Sequence, residues 1–334
     1  MRAFELRNRT GLDSLALTDR PEPRPGPGEV LIQMRAASLN PRDVLLLDGS
    51  LYPDARLPLV PLSDGVGMVL AVGEKVTRVK TGDRVAGIFH QNWLAGDIPD
   101  GNLSLGGDMD GVLAQQIVLH QDGVTPVPEH LSDEEAATLP CAAVTAWNAL
   151  MVQGNLKPGN TVLVQGTGGV SLFALQFSLL AGARVIVLSS SDEKLERVRR
   201  LGAQETINYK RTPDWEKDVI ERTDGKGADH IIDVGGSDTL PRSLKAVRKQ
   251  GQIVLVGILS GISTEIVIPQ ILVRQVRLRG VYVGSRRMFE EMNVAISLHK
   301  LKPVVDRVFP FGEAVDALRY MKKGGYFGKI GIRF

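Results

Sequence analysis

The rhythm of hydrophobic and polar positions changes along this chain. Up to about residue 122 it is strand-like. Residues 29–36 (EVLIQMRA) alternate apolar with other side chains, as a half-buried strand does. Residues 38–47 (SLNPRDVLLL) begin with cap-forming residues and Pro41 and then turn apolar, which predicts a short helix with Asn40 at its start. Residues 63–84 read as β structure punctuated by glycine, with bulges or close backbone approaches. Residues 112–120 read as a further strand. Between them, residues 90–111 form a long polar, glycine-rich loop containing Trp93. Residues 21–28 (PEPRPGPG) are compatible with neither a helix nor a central strand and predict a stiff connector.

Beyond residue 122 the period changes. Ser132–Glu135 (SDEE) is a capping-box pattern, opening a helix that extends to about Val152 with a break or kink at Pro140. Strands and helices then alternate: strands at 161–165, 184–188, 205–209, 228–234 and 252–258, with helices at 170–180, from 192 to a stop at Gly202, 214–222 and 239–249. That order predicts an α/β doubly wound parallel sheet. Residues 271–283 read as a helix end or loop and then a strand on which Arg274, Arg277 and Arg279 alternate with apolar residues. A helix at 288–298, strands at 304–309 and 329–334, and a helix at 313–323 between those strands complete the pattern.

One stretch organises the rest. Residues 161–188 read strand, tight turn, buried helix, strand, and the turn carries Gly166, Thr167, Gly168, Gly169 and Val170. Glycines between a strand and a helix let backbone N–H groups approach a pyrophosphate, with the positive end of the helix dipole behind them. This is the dinucleotide fingerprint in its required context, except that Ser171 holds the third glycine position. Glycine there permits close helix–strand packing, so serine predicts slightly wider spacing.

Composition narrows the function classes. Hydrophobic residues make up 43% and charged residues 23% of 334, which is ordinary globular usage and long enough for two domains. A net charge of +2 gives no nucleic-acid footprint. No apolar run reaches the roughly 18 residues of a membrane span. The start MRAFELRNRTG lacks the apolar region of a signal peptide, so cytoplasmic residence is the default expectation. A single cysteine, Cys141, excludes an intrachain disulfide and a cysteine-cluster zinc site, and the five scattered histidines show no HExxH spacing, which leaves only a metal site built from distant residues.

Several long segments, PRPGPGEVLIQMRAASLNPRD, PLVPLSDGVGMVLAVGEKVTRVKTGDRVAG, LPCAAVTAWNAL and the nucleotide stretch, resemble the medium-chain dehydrogenase/reductase superfamily in family order. The resemblance implies a Rossmann domain (123–286) inserted in a mostly-β, partly barrel-like catalytic domain (1–122 and 287–334), with the active site in the cleft between them. It also implies homodimers paired through the last Rossmann strand, about residues 277–284. Where zinc alcohol dehydrogenases carry a cysteine ligand, this chain has Asn40. Where they carry a histidine ligand and then glutamate, it has Ser63-Asp64. The third ligand position resembles Cys141. The four-cysteine structural lobe is replaced by the 90–111 loop. The chain therefore resembles the zinc-independent branch, with quinone oxidoreductases and enoyl or alkenal reductases. For Cys141 a small buried hydrophobe is the plainer reading.

Asn40, Asp43 and Tyr52 match the N-x-x-D…Y pattern near the active site of those relatives. Asn40 is a neutral donor aimed near the old zinc position, or a simple N-cap. Tyr52 bonds or stacks on the substrate, or packs locally. Asp43 orients the helix start. Trp93 lids the pocket or packs its own loop, and Ser63 and Asp64 hold hydrogen bonds where metal ligands would have been. For the cofactor, Ser189 stands where an acidic residue would grip an adenosine 2′-hydroxyl, about 20 residues past the glycines. Serine can donate to a 2′-phosphate, Ser190 and Lys194 follow within reach, and Asp192 lies too far into the helix start to take the carboxylate's place. NADPH is thus expected, with NADH as the looser option. Tyr209 flanks the adenine end. Val234, Gly235, Val256, Gly257 and Ile258, at the ends of later strands, approach the ribose and nicotinamide. The resemblance adds Thr145, Val281 and Val283. Three functions follow from this set: a zinc-independent, NADPH-dependent reductase of quinones or α,β-unsaturated carbonyls, an alcohol dehydrogenase-like enzyme, and a non-catalytic nucleotide-binding redox sensor.

Overall fold

The computed structural model describes residues 1–8, 11–51, 55–101 and 103–334. Strands run in chain order β1 (Arg2–Leu6), β2 (Leu15–Asp19), β3 (Glu29–Ser38), β4 (Asp64–Val72), β5 (Arg84–Gly87), β6 (Gln116–His120), β7 (Val124–Pro126), β8 (Thr161–Gln165), β9 (Arg184–Ser189), β10 (Glu205–Asn208), β11 (Ala228–Asp233), β12 (Val247–Leu255), β13 (Arg277–Gly280), β14 (Val305–Pro310) and β15 (Lys329–Arg333). The chain divides into two compact units, Met1–Val144 with Val283–Phe334, and Thr145–Tyr282. The boundary expected at residue 122 falls later. Val124–Pro126 pairs antiparallel with β5, and the helix Asp133–Ala136 packs on β3 and β4, so both stay with the first unit.

The first unit is built on β3, whose ten residues serve three neighbours. Its first half (29–33) pairs β6, its last residues (36–38) pair β15, and β4 runs antiparallel along most of its length. The sheet order is β14-β15-β3-β4-β5-β7, with β6 branching from β3. The alternating side chains Val30, Ile32 and Met34 enter the core with Leu46, Leu47, Leu62, Ile330 and Ile332. Each such buried side chain contributes about 1.5–3 kcal/mol. The helix Pro41–Leu47 forms as expected, with Asn40 as its N-cap.

The second unit is an all-parallel six-stranded sheet in the order β10-β9-β8-β11-β12-β13. This doubly wound Rossmann arrangement reverses direction at β8, between β9 and β11. Ligands bind at that reversal, beyond the carboxyl ends of the strands. Strand β8 is buried along Val162–Gln165, as a central parallel strand must be. The connecting run, residues 133–152, departs from a simple kinked helix. After Asp133–Ala136 it widens into π turns at Leu139–Ala143 and Asn148–Val152 on either side of Val144–Trp147. Pro140 lacks an N–H for the regular ladder, and a wide turn absorbs the gap. The expected arginine stripe also changes. Only Arg277 and Arg279 lie on β13, while Arg274 precedes it and its guanidinium bonds the Leu244 carbonyl at 2.5 Å and also the Val247 carbonyl. Strand β12 begins at Val247, five residues before expectation, because Val247 pairs with Ala228 of β11; its pairing with β13 starts at Gln252. Among the described residues no helix is long and apolar enough to cross a membrane.

Candidate active site and nucleotide cradle

In the first unit, strand register assembles a buried polar cluster. Gly331 on β15 lies beside Ser38 on β3, and Ser38 beside Asp64 on β4. The Leu39 N–H donates to the Ile330 carbonyl at 3.0 Å, which draws the start of the Asn40 helix against β15. Lys329, 3% exposed, therefore enters the cluster. Its Nζ donates to the Leu39 carbonyl at 2.6 Å and to Asn40 Oδ1 at 2.6 Å, and stands 3.5 Å from Asp64 Oδ2. An ammonium has three donors; here two oxygens accept hydrogen bonds from it, and the Asp64 carboxylate faces its charge as an ion pair. Without them its burial would cost several kcal/mol. Asp64 is held in turn by Ser63, whose Oγ donates to Oδ1 at 2.8 Å. The expected hydrogen-bonding roles of Ser63 and Asp64 thus have a geometry, directed at a lysine.

Asp43 is fully buried, and its Oδ2 accepts the Asn40 N–H at 2.7 Å, the helix-start role expected of it. Burial pushes its carboxyl up to about 6, against the opposing pull of Arg42 and of the Asn40 N–H. Asn40, 4% exposed, keeps Nδ2 without a hydrogen-bond partner among the described residues. Tyr52 lies outside the described residues. Cys141 retains partial exposure, yet loss of solvent around its sulfur, with the charge of Asp64 second, pushes the thiol up. Such a thiol is a poor thiolate source. Trp93 packs within its own loop: it is 6% exposed and its Nε1 donates to the Gly96 carbonyl at 3.0 Å. The loop is also tied down. The Arg286 and Arg287 N–H groups, at the start of the helix Arg286–His299, donate to the carbonyls of Trp93 and Leu94, and Arg42 Nη1 donates to the Leu105 carbonyl at 2.9 Å.

The donor set does not fit a catalytic zinc ion. The three resembling positions offer the Asn40 amide, the Ser63 hydroxyl, already donating to Asp64, and the Cys141 thiol, whereas zinc needs about three anionic or imidazole ligands. Among the described residues no group of three or more His, Cys, Asp or Glu side chains could hold a metal.

In the second unit the nucleotide positions gather at the carboxyl ends of the strands. Gly166 has φ +74°, a conformation that favours glycine, and a Cβ on Gly168 would meet nothing within 4 Å. That open space lies at the start of the helix Gly169–Leu180, whose first N–H groups have no intrahelical acceptor. Ser171 is buried and its Oγ donates to the Gln165 carbonyl at 2.7 Å, so the serine ties helix to strand directly. Ser189 ends β9, 3% exposed, with the Ser191 N–H donating to its Oγ at 3.3 Å. Ser191 Oγ caps the next helix by accepting from the Lys194 N–H. Asp192 accepts from Asn208 at 2.7 Å and pairs with Arg211, which keeps its carboxylate at the helix start. The Tyr209 N–H donates to the Ser189 carbonyl, setting that ring, 41% exposed, beside the end of β9.

Asp233, which local sequence pattern does not single out, organises the next turn. Its Oδ1 accepts from the Gly235 and Gly236 N–H groups at 3.1 Å and from Thr239 at 2.5 Å, and its Oδ2 accepts from Ser243 and Gln165. The Val256 N–H donates to the Asp233 carbonyl, and a Cβ on Gly257 would lie 2.6 Å from the Val234 carbonyl oxygen, so the ends of β11 and β12 touch only because glycine is there. Val281 continues this edge by donating to the Leu255 carbonyl. Two expected cofactor positions stand apart: Val283 belongs to the first unit, and Thr145 lies on the connecting helical run. Lys329 is equally hidden from local pattern. In KIGIRF it alternates with Ile330 and Ile332, which by itself assigns it to the solvent side.

Residues 169–297 match the family described as zinc-binding dehydrogenase, and residues 26–129 match the alcohol dehydrogenase GroES-like domain. A zinc-type alcohol dehydrogenase-like protein of Schizosaccharomyces pombe is 45% identical, over 97% of this chain and 96% of its own. The solved structure of an NAD-dependent alcohol dehydrogenase matches all of both chains at 35% identity with a TM-score of 0.94. An acryloyl-coenzyme A reductase of Metallosphaera sedula is 29% identical over 92% of this chain and 93% of its own. Two units of this topology, a Rossmann sheet inserted in a mixed-sheet domain, define an oxidoreductase fold. The chain belongs to the medium-chain dehydrogenase/reductase superfamily.

Proposed function

We propose that this protein is a zinc-independent, NADPH-dependent oxidoreductase that delivers hydride to quinones or α,β-unsaturated carbonyls. The observation that carries the reading is the Lys329 ammonium on Asn40 and Asp64, in a cluster whose donors suit an oxyanion and not a metal. Bound NADPH supplies a hydride. In an enone that hydride bonds to the β-carbon, the π electrons move onto the carbonyl oxygen as an enolate, and solvent protonates the α-carbon. The protein must stabilise the enolate oxygen, and Asn40 Nδ2, without a partner among the described residues, is the donor suited to that task. Tyr52 is assigned the same substrate oxygen by its resemblance. Gly166, Thr167, Gly168, Gly169 and Val170 hold the pyrophosphate, and Ser189, Ser190, Lys194 and Tyr209 hold the adenosine end. Val234, Gly235, Val256, Gly257, Ile258 and Val281 line the nicotinamide side, and the resemblance assigns Thr145 and Val283 to the same cofactor.

The test is oxidation of NADPH, followed by its absorbance, with 1,4-benzoquinone and an enone panel in the presence of a chelator. Turnover insensitive to the chelator is expected, and no turnover on any acceptor removes the reading. Ser189→Asp tests the cofactor half. A carboxylate repels a 2′-phosphate, so the kcat/KM preference should move at least about tenfold toward NADH. An unchanged preference would mean the phosphate is held elsewhere. The NAD-dependent alcohol dehydrogenase neighbour favours a second reading, oxidation of alcohols with a metal. About one tightly bound zinc per chain by elemental analysis would select it.

A further inference from the structure

We propose that Lys329 is a positioning residue that locks and polarises the Asn40 carboxamide, so that a fixed internal cation serves the acceptor oxygen through an amide. The proposal rests on the hydride-transfer reading above and goes beyond it by naming what aims the donor. A carboxamide has two orientations related by a flip, and only its partners choose between them. Lys329 Nζ, which has donors and no acceptor, lies 2.6 Å from Asn40 Oδ1. The flipped orientation would set an NH₂ group against an ammonium. Nδ2 is therefore turned away from Lys329, and it is the buried amide end that lacks a partner among the described residues.

The cation also does electrostatic work. Drawing density toward Oδ1 makes the N–H bonds of the same amide stronger donors, and the effect is larger where water is excluded. Lys329 is held in place by a second hydrogen bond, to the Leu39 carbonyl, and by the charge of Asp64, which Ser63 fixes in turn. The result is one chain, Ser63 to Asp64 to Lys329 to Asn40, ending in an N–H with no partner among the described residues.

The experiment is a double-mutant cycle on the full-length enzyme with NADPH and an enone, using Lys329→Met, Asn40→Ala and both together. Asn40→Ala should lower kcat about 100-fold, the usual effect of losing one oxyanion donor. Lys329→Met should lower kcat roughly 30-fold while the KM for NADPH stays within about twofold, and Lys329→Arg should recover part of the loss. In the Asn40→Ala background Lys329→Met should add less than about threefold. An equal further loss there overturns the proposal, since the lysine would then act independently of the amide. If Lys329→Met does not fold, Lys329→Gln, which keeps one donor and loses the charge, takes its place in the cycle. A second readout is independent of turnover. In protein labelled with ¹⁵N-asparagine, the Asn40 side-chain amide protons should shift upfield when the cation is removed. An unmoved signal overturns the proposal even if the wild type proves inactive on every acceptor, the result that would instead remove the hydride-transfer reading.

Discussion

Asp43 carries a proton affinity set by its burial. Its carboxyl, pushed up to about 6, holds a proton more tightly in the folded chain than in the unfolded one. Stability from this group is complete below the ordinary carboxylate range and is lost as pH rises through about 6. Between the ordinary carboxylate value of 3.8 and about 6, at about 1.36 kcal/mol for each pH unit, the loss comes to about 3 kcal/mol. Asp43→Asn keeps an acceptor for the Asn40 N–H and removes the titration. Relative to wild type, the variant should therefore gain about 2 kcal/mol between about pH 4 and pH 7, read from urea unfolding at the two pH values. His90 and His230, pushed down to about 4 mainly by burial, act with the opposite sign, losing stability as pH falls below 6.5. Both are present in both proteins and cancel in the comparison. A difference that stays constant with pH would show that Asp43 is ionised throughout.

At the scale of elements, the carboxyl end of β11 depends on one side chain. Asp233 ties its own turn, the helix Leu240–Ala246 through Ser243, and β8 through Gln165. Asp233→Ala leaves several buried donors without an acceptor, at about 1–3 kcal/mol each before relaxation. Expected is a loss of at least about 3 kcal/mol in unfolding free energy, together with weaker NADPH binding by isothermal calorimetry. Loss of stability with unchanged NADPH affinity would separate this turn from the nucleotide. The elements themselves are largely legible in the sequence, because period and punctuation are local properties: EVLIQMRA alternates, the glycine turn follows an apolar run, and SDEE caps a helix. At Val247 local pattern misleads because of long-range pairing: the residue joins a strand because Ala228 of β11 is there to pair with it. Pro140 sits in a π turn that continues the run.

At the scale of the whole molecule, the second unit presents an open edge. Among the described residues β13 has a partner on one side only, and Leu259, Ile262, Ile268, Leu272 and Val273, on the segments leading to it, are each at least 65% exposed. A bare strand edge with neighbouring apolar surface invites pairing with an identical edge, which a two-fold axis satisfies for both copies at once. We therefore expect a homodimer through this edge. Sedimentation should give twice the 36.2 kDa chain mass, and Leu272→Asp with Val273→Asp should give the single mass with the fold intact by circular dichroism. A monomeric wild type would refute it.

The sequence by itself determined the elements, the doubly wound sheet and the phosphate turn, since each follows from residues close together in the chain. It also carried Asn40 and Asp43, three residues apart on one helix start. Only the tertiary structure sets a cation against the Asn40 amide. Lys329 stands 289 positions away from it, in a strand whose pattern points it at water, and the register of β15 on β3 turns that lysine inward. Charge compensation between distant segments leaves no periodic trace, because it depends on which strands pair and not on what neighbours a residue has in the chain.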